Sequence, residues 1–164
     1  MKILINILFF VSFVSFSQNS ISFLLERNTK NTIPFISVEQ LKSNQKSFTL
    51  LDSWKKEEYN VSHLENAIWV GYKKFSAQEI QQKIKDKSTA IVIYCSLGIR
   101  SEKIGAKLKE LGYTNVQNLY GGIFEWKNKG YPVFNTKKKQ KKYTPSINVG
   151  QNGFIMLKKC THEK

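Results

Sequence analysis

A chain of 164 residues with 41 % hydrophobic side chains suits one domain with extensions. A core of about 100 residues needs neither disulfides nor a structural metal to fold. The formal net charge of +14 does not mark a basic domain, because residues 127–164 hold ten lysines and one glutamate whereas residues 18–126 hold fifteen basic and eleven acidic side chains.

Lys2 precedes an apolar run over residues 3–16 that only Asn6, Ser12 and Ser15 interrupt. The run is too short to span a bilayer and reads as the hydrophobic segment of a signal peptide over residues 1–17, with Ser15 and Ser17 at the two positions a signal peptidase inspects. The expectation is an exported protein, periplasmic or secreted, beginning near Gln18; an uncleaved membrane anchor is the alternative. Export makes a transient Cys95–Cys160 bridge chemically accessible, although a lasting one would consume the better nucleophile candidate. Residues 18–32 show no periodicity and read as a linker.

The domain is expected over residues 33–134. Ser37 and Gln40 form a capping box before a short helix containing Leu41. Residues 48–51 make a short buried strand that Asp52 ends, and an Asp there more often caps a turn than moves protons. A polar helical turn follows over residues 55–59, then a strand over residues 67–70. His63 between them reads as a packed scaffold residue. Ser76 opens another helix with Ile80 and Ile84 on its apolar side. Residues 90–94 are continuous and β-branched, as in a strand buried on both faces of a parallel sheet. Ser101 is expected to cap a helix whose Ile104, Leu108 and Leu111 share a face and which Gly112 stops. Residues 116–119 supply a last strand, and Gly121 and Gly122 a tight turn into a helix with Phe124 and Trp126. This alternation predicts an α/β fold with a mainly parallel central sheet flanked by helices, its ligand edge beyond the strands' carboxyl ends.

Cys95 sits between a strand end and a helix start. Unpaired N–H groups and the positive dipole end of that helix favour an anion such as a thiolate, which is the reactive form of cysteine. Gly98 permits a crowded loop whose N–H groups, from Ser96 through Leu97, Gly98 and Ile99 to Ser101, turn inward. Arg100 adds a permanent cation with a donor fork. The bland reading, an inert cysteine at a strand end, does not account for thiol, Gly, Arg and helix cap occurring together. Beyond the domain, the lysines of residues 137–142 read as a solvated run, with weak contact to an anionic surface as the alternative. Residues 153–157 are apolar enough to add an edge strand.

The segment Cys95-Ser96-Leu97-Gly98-Ile99-Arg100-Ser101 resembles the active-site loop of single-domain rhodanese-like sulfurtransferases, in which four residues separate Cys and Arg. Upstream, Leu50-Leu51-Asp52, the acidic pair Glu57-Glu58 before Tyr59, and His63 through Ala67 are similar to that family's order of motifs. Downstream, Gly112-Tyr113, Gly121-Gly122-Ile123, Trp126, Gly130 and Pro132-Val133 resemble its closing section. The resemblance implies a rhodanese-like three-layer domain and a Cys95 persulfide that moves sulfane sulfur from a small donor to a thiol or cyanide. It implies Arg100 and the loop N–H groups as donor-binding groups, with Asp52 and Trp54 in support. No cofactor, metal or nucleic acid is expected, and the chain is expected to be a monomer. Two cations common in the family are replaced, by Trp54 two residues after Asp52 and by Ser96 directly after Cys95, which predicts weak affinity for thiosulfate. The rival readings are a binding module with the fold but no turnover and, since related folds wrap a Cys…Arg loop around phosphate, a phosphatase or arsenate reductase. Those loops are one residue wider than this one.

Overall fold

The computed structural model describes residues 20–136. The apolar run of residues 3–16, the lysine run of residues 137–142, residues 153–157 and Cys160 lie outside the described residues. Five strands, β1 (Phe35–Ile36), β2 (Thr49–Asp52), β3 (Ile68–Trp69), β4 (Ile91–Tyr94) and β5 (Val116–Leu119), form one sheet in the order β1-β5-β4-β2-β3. Every pairing is parallel. Six helices flank the sheet: α1 (Ser20–Asn28), α2 (Val38–Asn44), α3 (Lys56–Val61), α4 (Ala77–Lys83), α5 (Ile99–Glu110) and α6 (Gly122–Asn128).

β4 lies at the centre, and none of its four residues is exposed. Side chains alternate across a strand, so Val92 and Tyr94 pack with Leu50, Leu119, Leu41, Ile123 and Trp126 on one face. Ile91 and Ile93 pack with Leu51, Ile80, Ile104 and Leu108 on the other. A strand covered on both sides has no position left for a polar residue, which is why this one reads as an unbroken apolar run. The three-layer α/β fold expected from the sequence is thus the one adopted.

Ser37 caps α2 as its spacing predicts: its hydroxyl accepts from Gln40 N at 3.1 Å and Gln40 Oε1 accepts from Ser37 N at 3.0 Å. His63 is a scaffold residue, stacked on Tyr59 at 4.2 Å and joined to Phe134 by two backbone hydrogen bonds of 2.9 and 2.8 Å. The segment read as a linker differs. Residues Ser20–Asn28 are helical, Leu25 is 3 % exposed, and Ile33 is buried against the α5 face of the core. Glu102 Oε1 accepts from Thr32 N at 2.5 Å and from Thr32 Oγ1 at 2.7 Å. α1 buries Leu25 and half-buries Ile21 and Leu24, an i, i+3, i+4 set, while Phe23 is exposed; the stripe spans little more than one turn, too short to stand out as a periodic pattern.

Leu25→Ala removes the buried anchor of α1 and should lower unfolding stability by about 2–3 kcal/mol in urea titration, the cost of a core Leu truncation. A change within about 0.5 kcal/mol would mean that α1 contributes no more than the linker expected over residues 18–32.

Candidate active site

Cys95 follows β4 directly and is 1 % exposed. The strand end beneath it is fixed by Ser53, whose N–H and hydroxyl both donate to Tyr94 O at 2.9 Å. The carbonyls of the next two residues point away from the site: Ile123 N donates to Cys95 O at 2.9 Å and Phe124 N to Ser96 O at 3.2 Å. These donors belong to the first turn of α6, whose N–H groups have no partner within the helix. Gly122 sits at φ 57°, and a Cβ there would collide with both carbonyls. The tight glycine turn read from the sequence therefore seats α6 under the cysteine loop.

With its carbonyls held outside, the loop turns donors toward the sulfur. Gly98 N lies 3.2 Å from Cys95 Sγ, and Ser101 Oγ lies 3.5 Å from it. Among the described residues these are the two donors within reach of Sγ. Gly98 takes φ 112°, a left-handed conformation that favours glycine, and this starts α5 at Ile99. The sequence reading placed the cap at Ser101. Instead Ser101 is a buried residue of the helix's first turn, which brings the helix N-terminus closer to the thiol than expected. Its hydroxyl donates to Asn118 Oδ1 at 2.7 Å, and Asn118 Nδ2 donates to Gly98 O at 2.8 Å. Asn118 on β5 thus ties both sulfur donors to the sheet, and sequence reasoning missed it. The available signal was a polar residue inside the otherwise buried strand Val116–Leu119.

Arg100 stands at the half-buried outer side of the loop. Its Nη2 donates to Ser96 Oγ at 3.3 Å and its Nη1 approaches Glu58 Oε2 at 3.4 Å. Glu58 Oε2 also accepts from Lys55 N at 3.0 Å, closing the start of α3. Ser96, Leu97 and Ile99 are half-buried around the thiol, and Gly98 is buried. Of the loop N–H groups expected to turn inward, Gly98's is the one that reaches Sγ; Ser101 reaches it with its hydroxyl, and Arg100 stands beyond Ser96. Among the described residues no three His, Cys, Asp or Glu side chains cluster as metal ligands would.

Asp52 and Trp54 lie beside this loop in roles of support. Asp52 Oδ1 accepts from Trp54 N at 2.7 Å, the turn-capping contact expected of an Asp at a strand end. Burial pushes the Asp52 carboxyl up to about 6, against the Trp54 N–H and the nearby Tyr94 phenol, which favour its anion. Burial, then the Asp52 charge, pushes the Tyr94 phenol well above its ordinary range. Trp54 is buried and meets Phe124 edge-to-face at 5.8 Å, linking the turn before α3 to α6.

A carboxyl whose folded value lies above its unfolded 3.8 contributes stability that is present below pH 3.8 and lost as pH rises through about 6. Asp52→Asn keeps an acceptor for Trp54 N and should match the wild type near pH 4, then gain on it up to about pH 6, levelling off at about 2–3 kcal/mol. Thermal melts across that range measure it, and a pH-independent difference would remove Asp52 as the titrating group. Gly122→Ala should cost about 2–4 kcal/mol in the same assay, since the new methyl meets backbone that has no room to retreat.

The family model for the rhodanese-like domain matches residues 37–129, more than half of the chain. A tRNA uridine(34) hydroxylase of Cronobacter sakazakii is 41 % identical over 85 residues, 46 % of this chain and 24 % of that protein. The chain thus spans about a quarter of the length of the curated relatives it matches. A rhodanese-related protein from Thermoplasma volcanium is 28 % identical with a TM-score of 0.52, covering 62 % of this chain and 97 % of that one. A thiosulfate sulfurtransferase from Pseudomonas aeruginosa, 21 % identical, shares the fold with a TM-score of 0.58 over 71 % of this chain and 23 % of its own. With the cysteine loop closed by Arg100 and seated on α6 at the sheet's carboxyl edge, the chain belongs to the rhodanese-like domain family.

Proposed function

We propose that this protein is a sulfurtransferase that carries sulfane sulfur on Cys95. The observation that supports the reading most is the setting of Sγ. It is nearly enclosed, faced by the Gly98 N–H and the Ser101 hydroxyl, and placed at the opening turn of α5. An enclosed sulfur is reached end-on by a single terminal atom, and a sulfane sulfur is such an atom.

In the first half-reaction the Cys95 thiolate attacks the terminal sulfur of the donor. A bond forms between Sγ and that sulfur, the donor's S–S bond breaks, and the electron pair leaves with the remaining fragment, sulfite in the case of thiosulfate. The persulfide anion then lies among donors already in place, so little reorganisation accompanies the transfer of charge. The Ser101 hydroxyl, bonded to Asn118 at rest, needs only a rotation to donate to anionic sulfur. In the second half-reaction a thiolate or cyanide attacks the outer sulfur, and the pair returns to Sγ. Arg100 supplies the cation that orients an anionic donor. The reading includes action outside the cytoplasm, supported by the basic start and apolar run of residues 1–17. A second reading, a binding module without turnover, draws on the same 1 % exposure of Cys95.

Reduced protein incubated with thiosulfate or a persulfide donor should gain the mass of one sulfur atom, lost again to cyanide as thiocyanate. Cys95→Ser should abolish both steps. Arg100→Ala should slow loading by about 2 kcal/mol, roughly thirtyfold, the scale of one charged hydrogen bond. Thiosulfate should load poorly and the persulfide donor well, since Trp54 and Ser96 bring no cation. If no donor loads Cys95, the transfer reading fails and the binding module stands.

A further inference from the structure

A cleft of about 350 Å³ opens between the start of α3 and the loop that follows β3. Its apolar surface comes from Trp54, Trp69 and Tyr72, and Arg100 forms the wall it shares with the cysteine loop. The Trp69 ring is held by its own N–H, which donates to Trp54 O at 2.9 Å. Lys56 Nζ stands 4.5 Å above that ring. Lys55, Lys73 and Lys74 also line it, against one carboxylate, Glu57, so the cleft is aromatic with a net cationic lining. A larger hollow of about 770 Å³ lies by the beginning of β2, the opposite sheet edge from Cys95, and has no such link to the thiol.

A cleft of this size is at the small-ligand end of binding sites. Thiosulfate has no apolar body and would leave the indole and phenol faces uncovered. An organic anion covers them, with its charge among Arg100 and the lysines, because aromatic area removed from water and cation–anion attraction then act together. We propose that this cleft receives the body of the sulfur donor, and that the donor class is an organic anion carrying its terminal sulfur on an aromatic or similarly apolar group. The proposal rests on the sulfurtransferase reading of Cys95. Arg100 reaches toward the thiol, since its Nη2 lies 3.3 Å from the hydroxyl of Ser96, the residue after Cys95. With a thiosulfonate as donor, Sγ bonds to the terminal sulfur, the donor S–S bond breaks, and the sulfinate leaves with the pair; charge balances and no external oxidant or reductant enters.

The test compares benzenethiosulfonate with methanethiosulfonate on the reduced full chain, following sulfur on Cys95 by intact mass over time. After division by the ratio the same donors show toward a free small thiol, benzenethiosulfonate should load about tenfold faster or more. Trp69→Ala and, independently, Tyr72→Ala should each cut that ratio by about threefold or more, whereas Lys46→Ala at the other hollow should not change it. Benzenesulfonate, which has no sulfur to give, should perturb tryptophan fluorescence and compete with the aromatic donor. A corrected ratio near one, or a ratio that both cleft variants leave unchanged, overturns the proposal. If neither donor loads Cys95, the transfer reading fails on its own. Benzenesulfonate binding that Trp69→Ala and Tyr72→Ala weaken would then still uphold an organic-anion site, and its absence would overturn that as well.

Discussion

Two hydrogen bonds hold the site in shape: those from Ile123 N and Phe124 N to the carbonyls of Cys95 and Ser96. A peptide chain that turns tightly about a sulfur presents either its carbonyls or its amides to it. The first turn of a helix has spare donors, and α6 turns two of them to these carbonyls. The amide of Gly98 is then free to face Sγ. Gly122 is part of the same constraint, because the approach is closer than any side chain allows.

The cation is held differently. Arg100 and Glu58 meet at 3.4 Å with both side chains partly exposed, an arrangement worth about 0–1 kcal/mol. Glu58 keeps its bond to Lys55 N if Arg100 leaves, so neither side chain is stranded by the exchange. Arg100 is thus parked on an alternative partner at little cost. The amide of Gly98 is held rigidly and the guanidinium of Arg100 is adaptable.

What the sequence made legible follows from the range of the forces involved. β4 and the thiol after it were readable because burial on both faces writes an unbroken apolar run, and the Ser37 cap because its partner is three residues away. The start of α5 was misplaced since Ser101 is a good cap by type, while the helix begins at Gly98 through a backbone angle no spacing rule reports. Asn118 was missed because its partners, Ser101 and Gly98, are 17 and 20 residues distant. α1 was overlooked because its apolar set, Ile21, Leu24 and Leu25, covers little more than one turn, too little for a period to show. Trp69 read only as part of the strand over residues 67–70 and Tyr72 carried no signal, because it is the fold that sets them beside Arg100.

α1 also bears on when the site is finished. A Cβ on Gly98 would come within 3.2 Å of Leu25 Cδ2, so the arm lies against the back of the cysteine loop. Thr32 and its carboxylate partner Glu102 are 70 residues apart. On a ribosome, the arm emerges first and waits for nearly all of the domain before its landing surface exists. Long loops of this kind close late, after local helices and neighbouring strands have formed. The loop that carries Cys95 is therefore braced last, and until the arm lands its thiol lies in a pocket with no back wall.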